Sequence, residues 1–510
     1  MKKLCMLQSL SRIVCAGVLA GGLLSCVSTN VPAENGTERA ETAAEAAPVL
    51  PAEAAPVSSA SETAPAAADD EVFSPVNFAG NLQSVLESGS LAEALALFDS
   101  LPPEYENDAS LQYLHASLLI SNGELDKAAD ITDTLLKKNP DDTDVLLLSA
   151  MLAKASGDTA KKSTALKRIL SLDPTNSDAN VELGEEQMLR RNYNQAKRYY
   201  LKGLAGDPGH EGALFGYGQV SYYTGDDEAS RSSFEKILES DPENSLAYAY
   251  LGKLAAEKEN YKVATEYIEK ALKFDDDIYD YWLDYGQYLR YQGDFAGAES
   301  AWRRAAELES DYFLAYAYLA GLFDEENRFD EALAMYRKVI ELNPKYYFAY
   351  ESLGMFAWHE NDFAEVRRAF ALARSMNEEN VSYPLMIAAA YLKEGKTKES
   401  RELLGKAMRN KSQTSVEYAV LRLYYDQIGD QQVVQKVLNE SNRNLKGKML
   451  YYLGLFYDIN GNDVLAEKYY TDVLNLNSPM FFEYRLAEWA VSAPDAPDGA
   501  RAVSGISPEN

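Results

Sequence analysis

Pro140, Pro174, Pro208, Pro242 and Pro344 stand on one 34-residue grid, whose intervening points are Asp276 and Ser310. A fixed period of this length restricts the fold more than any local motif, because each step must be one supersecondary repeat and the repeats must stack. Residues 313–346 show what a step contains. Tyr316, Leu319, Ala320 and Phe323 fall at the i, i+3, i+4, i+7 spacing of one apolar helix face. Ala332, Tyr336 and Val339 do the same in a second helix, and Asn327 and Arg328 interrupt the pattern between the two. Asn343 and Pro344 end the repeat, since proline neither donates a backbone hydrogen bond nor continues a helix.

The steps agree in finer marks. Counting along the grid gives about twelve repeats. They begin at Pro75, Ala109, Thr143, Ser177, Glu211, Ser245, Tyr279, Phe313, Tyr347, Val381, Ser415 and Gly447, the one from Ser415 being two residues short. The eighth position is small: Ala116, Ala150, Gly184, Gly218, Gly252, Gly286, Ala320, Gly354, Ala388 and Gly454. So is the twentieth, at Ala94, Ala128, Ala196, Ala264, Ala298, Ala332 and Ala466, as close approach of the two helices requires. At the turn stand Gly89, Gly123, Gly157, Gly225, Gly293, Gly395, Gly429 and Gly461, with Asn327 and Asn361 replacing glycine where a left-handed residue stops the helix. Lys162 and Arg422 put a charge at close-packed positions, which predicts a local irregularity or shifted register at each.

With this period and these small positions, residues 75–480 resemble the tetratricopeptide repeat (TPR) family. The resemblance implies an all-α fold, a right-handed α-solenoid of about twelve helix–turn–helix repeats whose first helices line a concave groove. Residues 481–491 read as a C-terminal capping helix; Glu488 takes the place of the small residue, as suits a helix with no partner to pack against.

The flanks are of different character. Lys2 and Lys3 followed by an apolar run over residues 13–24, too short to span a bilayer, read as a signal peptide over 1–25. The run ends in Leu23-Leu24-Ser25-Cys26, which resembles the bacterial lipobox and implies cleavage before Cys26 and a lipid on it. Cys5 and Cys15 lie in the same leader, so cleavage would leave neither an internal disulfide nor thiol chemistry. Residues 26–74, rich in Ala, Pro and Glu, and the tail 492–510 have too few large apolar residues to offset chain entropy and are expected to be a disordered tether and a disordered tail. The formal charge of −30 argues against nucleic acid and anionic lipid heads as partners.

Catalytic and metal-binding patterns are missing from the sequence. His115 occupies a position filled by leucine elsewhere and reads as a core residue; His210 follows Pro208 in a loop; His359-Glu360 lacks the second histidine of a zinc helix. Residues 458–463, DINGND, look like a calcium loop only superficially, because the bidentate glutamate is absent. No cofactor, no metal and no enzymatic activity are expected.

TPR proteins bind extended peptides or partner helices through the second, fifth, sixth, ninth, twelfth and thirteenth positions of a repeat, as the resemblance implies. Carried onto this chain these include Phe215, Gln219, Tyr222, Tyr250, Lys253, Asp284, Gln287, Arg290, Tyr291, Tyr318, Glu351, Met355 and Trp358, rigid aromatic anchors among a few charges. The function expected is a non-enzymatic, membrane-anchored scaffold that gathers other proteins of the bacterial cell envelope, on the non-cytoplasmic side. An outer membrane is favoured, because Val27 and Ser28 after the cysteine offer no acidic retention signal. The alternative is an accessory lipoprotein that captures a small amphipathic ligand, for instance for a transporter. An open face with separated anchors would favour the first and an enclosed apolar cavity the second.

Overall fold

The computed structural model describes residues 74–492 apart from 88, 429 and 430. The leader, Cys26, the tether up to residue 73, Gly429 and residues 493–510 of the tail lie outside the described residues. Among the described residues there are 25 α-helices, two 3-10 turns and no strand. None of these helices is long and apolar enough to cross a membrane.

Two compact units divide the chain, Met1–Asp284 and Tyr285–Asn510. The N-terminal unit begins with α1 (Pro75–Glu87), α2 (Leu91–Ala96), α3 (Ala109–Ser121), α4 (Leu125–Lys138), α5 (Thr143–Ala155) and α6 (Thr159–Leu172). It continues through α7 (Ser177–Leu189), α8 (Tyr193–Gly206), α9 (Glu211–Thr224), α10 (Asp227–Ser240), α11 (Ser245–Ala256) and α12 (Tyr261–Phe274). The division falls within α13 (Tyr279–Tyr291). The C-terminal unit then holds α14 (Phe295–Leu308), α15 (Leu314–Glu325), α16 (Phe329–Leu342), α17 (Tyr347–His359), α18 (Phe363–Met376) and α19 (Ser382–Lys393). It closes with α20 (Thr397–Ala407), α21 (Val416–Asp426), α22 (Gln431–Leu438), α23 (Arg443–Ile459), α24 (Asp463–Leu474) and α25 (Phe482–Val491).

Each repeat is built by the same few devices. The turn glycines adopt φ between 72 and 82°, and Asn327 and Asn361 take φ 61 and 59°. Where the grid offers neither residue, Arg191 and Glu259 are held in the same left-handed conformation, at φ 55 and 57°. The residue that follows caps the second helix: Asp158, Asp226, Asn260, Asp294, Asp362 and Asn462 each accept a hydrogen bond from the amide three positions on. A glycine at the eighth position admits an aromatic ring from the second helix. A Cβ on Gly218 would lie 2.9 Å from Phe234, one on Gly354 2.6 Å from Phe370 and one on Gly454 2.7 Å from Tyr470.

A further contact fixes the inter-repeat bend. The fourth residue of a repeat reaches back to the carbonyl on the proline grid, whatever donor it carries: Gln112 to Glu106, Asn180 to Pro174, Tyr248 to Pro242, Trp282 to Asp276, Tyr316 to Ser310 and Tyr350 to Pro344, at 2.6–3.2 Å. The three histidines are structural. His115 stacks on Phe98 at 4.5 Å between centroids, and burial lowers its pKa. His210 is the N-cap of α9, its Nδ1 accepting from the Ala213 amide at 3.2 Å. His359 lies against Trp489.

Three local expectations need correction or refinement. At Lys162 there is no break in register: α6 is regular, and the ammonium meets the carboxylate of Glu182, which is 4% exposed and also accepts from Lys154 at 3.0 Å. Burial alone would raise the Glu182 pKa, but the two lysines outweigh it and hold it below the usual value. At Arg422 the irregularity does occur. Its side chain is exposed and pairs with Asp426, α21 ends in a left-handed Gln427, and α22 has only 8 residues. The last helix, finally, is not without a partner: α25 packs on α24 and also turns back onto α23 and α17.

Candidate partner-binding faces

In the N-terminal unit the first helices α9, α11 and α13 bring six of the expected residues together. Tyr250 stands edge-on to Phe215 and Tyr222, with ring centroids 5.6 and 5.7 Å apart, and stacks on Phe234 at 4.8 Å. The Gln219 amide donates to the Tyr250 hydroxyl at 2.8 Å. All four groove residues are half-buried, so rings and amide are held in place before any partner arrives. Lys253 lies 5.9 Å from the Tyr250 ring centre and 3.2 Å from the carboxylate of Asp284, which is 9% exposed. Burial would push the Lys253 ammonium down, but Asp284 and Asp280 outweigh it and hold the pKa above its usual value. Asp280 itself is raised by burial, with Lys253 opposing. The result is an aromatic row ending in a charge cluster with one lysine and two carboxylates.

The residues carried onto the C-terminal unit are more scattered in environment. Gln287 is half-buried, and Arg290 gives Nε and Nη2 to Glu325 at 2.9 and 2.7 Å beside an exposed Tyr291. Tyr318 stacks on the wholly buried Trp302 at 5.2 Å, and Trp358 stands edge-on to Phe363 at 5.4 Å. Met355 is 3% exposed and is not open to a partner. Glu351 accepts from the Tyr383 hydroxyl; burial pushes its carboxyl up to about 7, with Tyr383 opposing and Glu483 adding.

Sequence reasoning passed over two residues of this unit that stand at groove positions, Asp324 at the twelfth and His359 at the thirteenth of their repeats. Both meet α25. Arg485 of that helix approaches Asp324 and donates to the Asp324 carbonyl at 3.1 Å and to the Asn327 side chain. Burial pushes the Asp324 carboxyl up to about 6, Arg485 opposing. The position count could have marked both residues; nothing in the sequence marks the helix that lies on them. Among the described residues no group of three or more metal-ligating side chains occurs.

Two tetratricopeptide-repeat family models match the chain, one over residues 85–155 and the other over 222–279, 283–347 and 322–380. The chain carries tetratricopeptide repeats. Solved structures similar to segments of it include pilF of Pseudomonas aeruginosa, at 20% identity over 40% of this chain and 92% of that one, with a TM-score of 0.36. The C-terminal part of a TPR repeat-containing protein from Cytophaga hutchinsonii is 17% identical over 47% of this chain and 99% of that one, with a TM-score of 0.36. YrrB, described as a TPR protein with an unusual peptide-binding site, is 20% identical over 36% and 95%, with a TM-score of 0.31. Tetratricopeptide repeats imply a protein–protein interaction scaffold and are generally non-catalytic, and the faces described here offer side chains for non-covalent recognition.

Proposed function

We propose that this TPR protein is a non-enzymatic scaffold of the bacterial cell envelope, anchored by a lipid on Cys26 and binding partner proteins through its first-helix faces. The observation that carries the binding reading is the row Phe215, Gln219, Tyr222, Tyr250 and Lys253. Its aromatic rings are already fixed by one another and by the Gln219 amide, so a partner segment meets anchors that lose little freedom on binding. The cluster beside it has one lysine against Asp280 and Asp284, which suits a segment carrying a basic residue next to an apolar one. The signal-peptide pattern and the LLSC sequence support the anchor and the envelope location.

The test is site-specific photocrosslinking from positions 222 and 250 in native membranes, followed by purification through a C-terminal tag and mass spectrometry. A dominant envelope protein crosslinked at both positions, and lost on exchanging Asp280 for Lys, is the expected outcome. Recovery of no protein from either position would remove this face as the binding site.

A further inference from the structure

Helix α25 lies on the first-helix face of the C-terminal unit in the manner of a ligand. Its Arg485 reaches the end of α15 and the turn after it, donating to the Asp324 carbonyl and to Asn327, with the guanidinium 6.0 Å from the Phe329 ring centre. One helical turn later, Trp489 enters an aromatic seat: His359 at 4.6 Å, Phe329 at 5.5 Å and Phe356 at 5.8 Å between centroids. Spacing of i, i+4 brings cation and indole to one side of the helix, where Arg485 also sits 5.4 Å over Trp489. Leu486 and Ala487 are buried at 3% and 0% exposure.

The seat of Arg485 and Trp489 belongs to repeats far from α25 in the sequence, whereas Glu483 of the same helix meets the neighbouring α23 and fits poorly there. Glu483 is fully buried; one carboxylate oxygen accepts from the Tyr452 hydroxyl at 3.0 Å and the other has no hydrogen-bond partner. A buried, half-satisfied carboxylate weakens the hold of the helix that carries it. A helix with the same arginine and tryptophan but an apolar residue at that point would be the better occupant.

We propose that the face formed by α15, the start of α16, α17 and α23 is a binding site for an amphipathic partner helix with an arginine four residues before a tryptophan and an apolar residue two before the arginine, and that α25 closes this site in cis until such a helix displaces it. The inference rests on the scaffold reading and assigns one of its faces a partner class and a gate. Tethering gives α25 a high effective concentration, so the partner must outcompete it through fit.

The test uses the full chain and a fluorescent peptide spanning residues 478–492 with Glu483→Leu, read by anisotropy. Substituting Arg485→Ala and Trp489→Ala in the protein weakens the cis helix and should tighten peptide binding by about tenfold or more. The same two substitutions placed in the peptide should abolish its binding. Circular dichroism checks the fold of the protein variant. Should that variant unfold, a long Gly/Ser insertion between Pro479 and Met480 lowers the effective concentration of an intact α25 and must produce the same direction of change. Peptide binding that is unchanged in the folded variant, or that does not depend on the peptide's arginine and tryptophan, overturns the proposal. Crosslinking from positions 222 and 250 is untouched by that outcome, so failure of the gate and failure of the scaffold reading are separable.

Discussion

At Gly286 there is no room for a methyl group, because a Cβ would press into the indole of the buried Trp302. Both partners are fixed by their helices, so Gly286→Ala should destabilise the fold by about 1–3 kcal/mol. Denaturant unfolding measures this, and an unchanged midpoint would remove the close contact from the account. Glu259 is the reverse case. A left-handed non-glycine residue costs roughly 1–2 kcal/mol, of which glycine's greater freedom in the unfolded chain takes back about 0.4–1 kcal/mol. Glu259→Gly should therefore raise stability by about half to one kcal/mol, seen as a higher denaturant midpoint. The recurrence of glycine and asparagine made the turn legible in the sequence, but not at Arg191 and Glu259, whose side chains show no preference of their own for that conformation. Lys162 was misread because its compensating charge, Glu182, stands in the next repeat, where no periodicity points to it.

Among the elements, α25 could be placed as a helix but not as a contact. Its apolar spacing is visible in the chain, whereas the surface it covers lies 130 (489 − 359) to 161 (485 − 324) residues earlier and is specified by side chains rather than by period. Its docking should depend on pH. Glu351 faces Tyr383 of α19, Glu483 of α25 and Lys448 of α23, and its pKa of about 7 is raised above the ordinary carboxylate value. Asp324, at about 6 beside Arg485, Glu488 and Glu325, is raised likewise. Groups with a raised folded pKa bind protons that the opened state releases, so the docked state gains at low pH and loses stability as pH rises through about 6 to 7. Hydrogen exchange of the α25 amides, corrected for intrinsic rate, should thus show less protection at pH 8 than at pH 5. Glu351→Gln should flatten the profile. Protection that increases with pH would contradict the assignment.

On the scale of the whole molecule, the repeat architecture was readable because stacking imposes one period on every local choice, from the helix stop to the small residue and the apolar face. The binding faces were only partly so. Position counting finds which residues stand on them but not which are buried, as Met355 shows, nor which are already covered. The anchor is tested at this scale too: Cys26→Ser should move the protein from the membrane fraction to the soluble fraction, and retention in membranes without a lipid would refute it.

The return of α25 onto α15 and α17 also has a consequence in time. During synthesis the seat is complete once α17 has emerged, while the helix that covers it follows about 130 residues later. At ordinary rates of elongation that leaves roughly 7–26 s in which a nascent chain presents an open, aromatic face. A partner present where the exported chain emerges from the membrane would meet no competitor during that interval. One arriving afterwards would have to expel α25, so the order of production of the two chains would govern how readily they assemble.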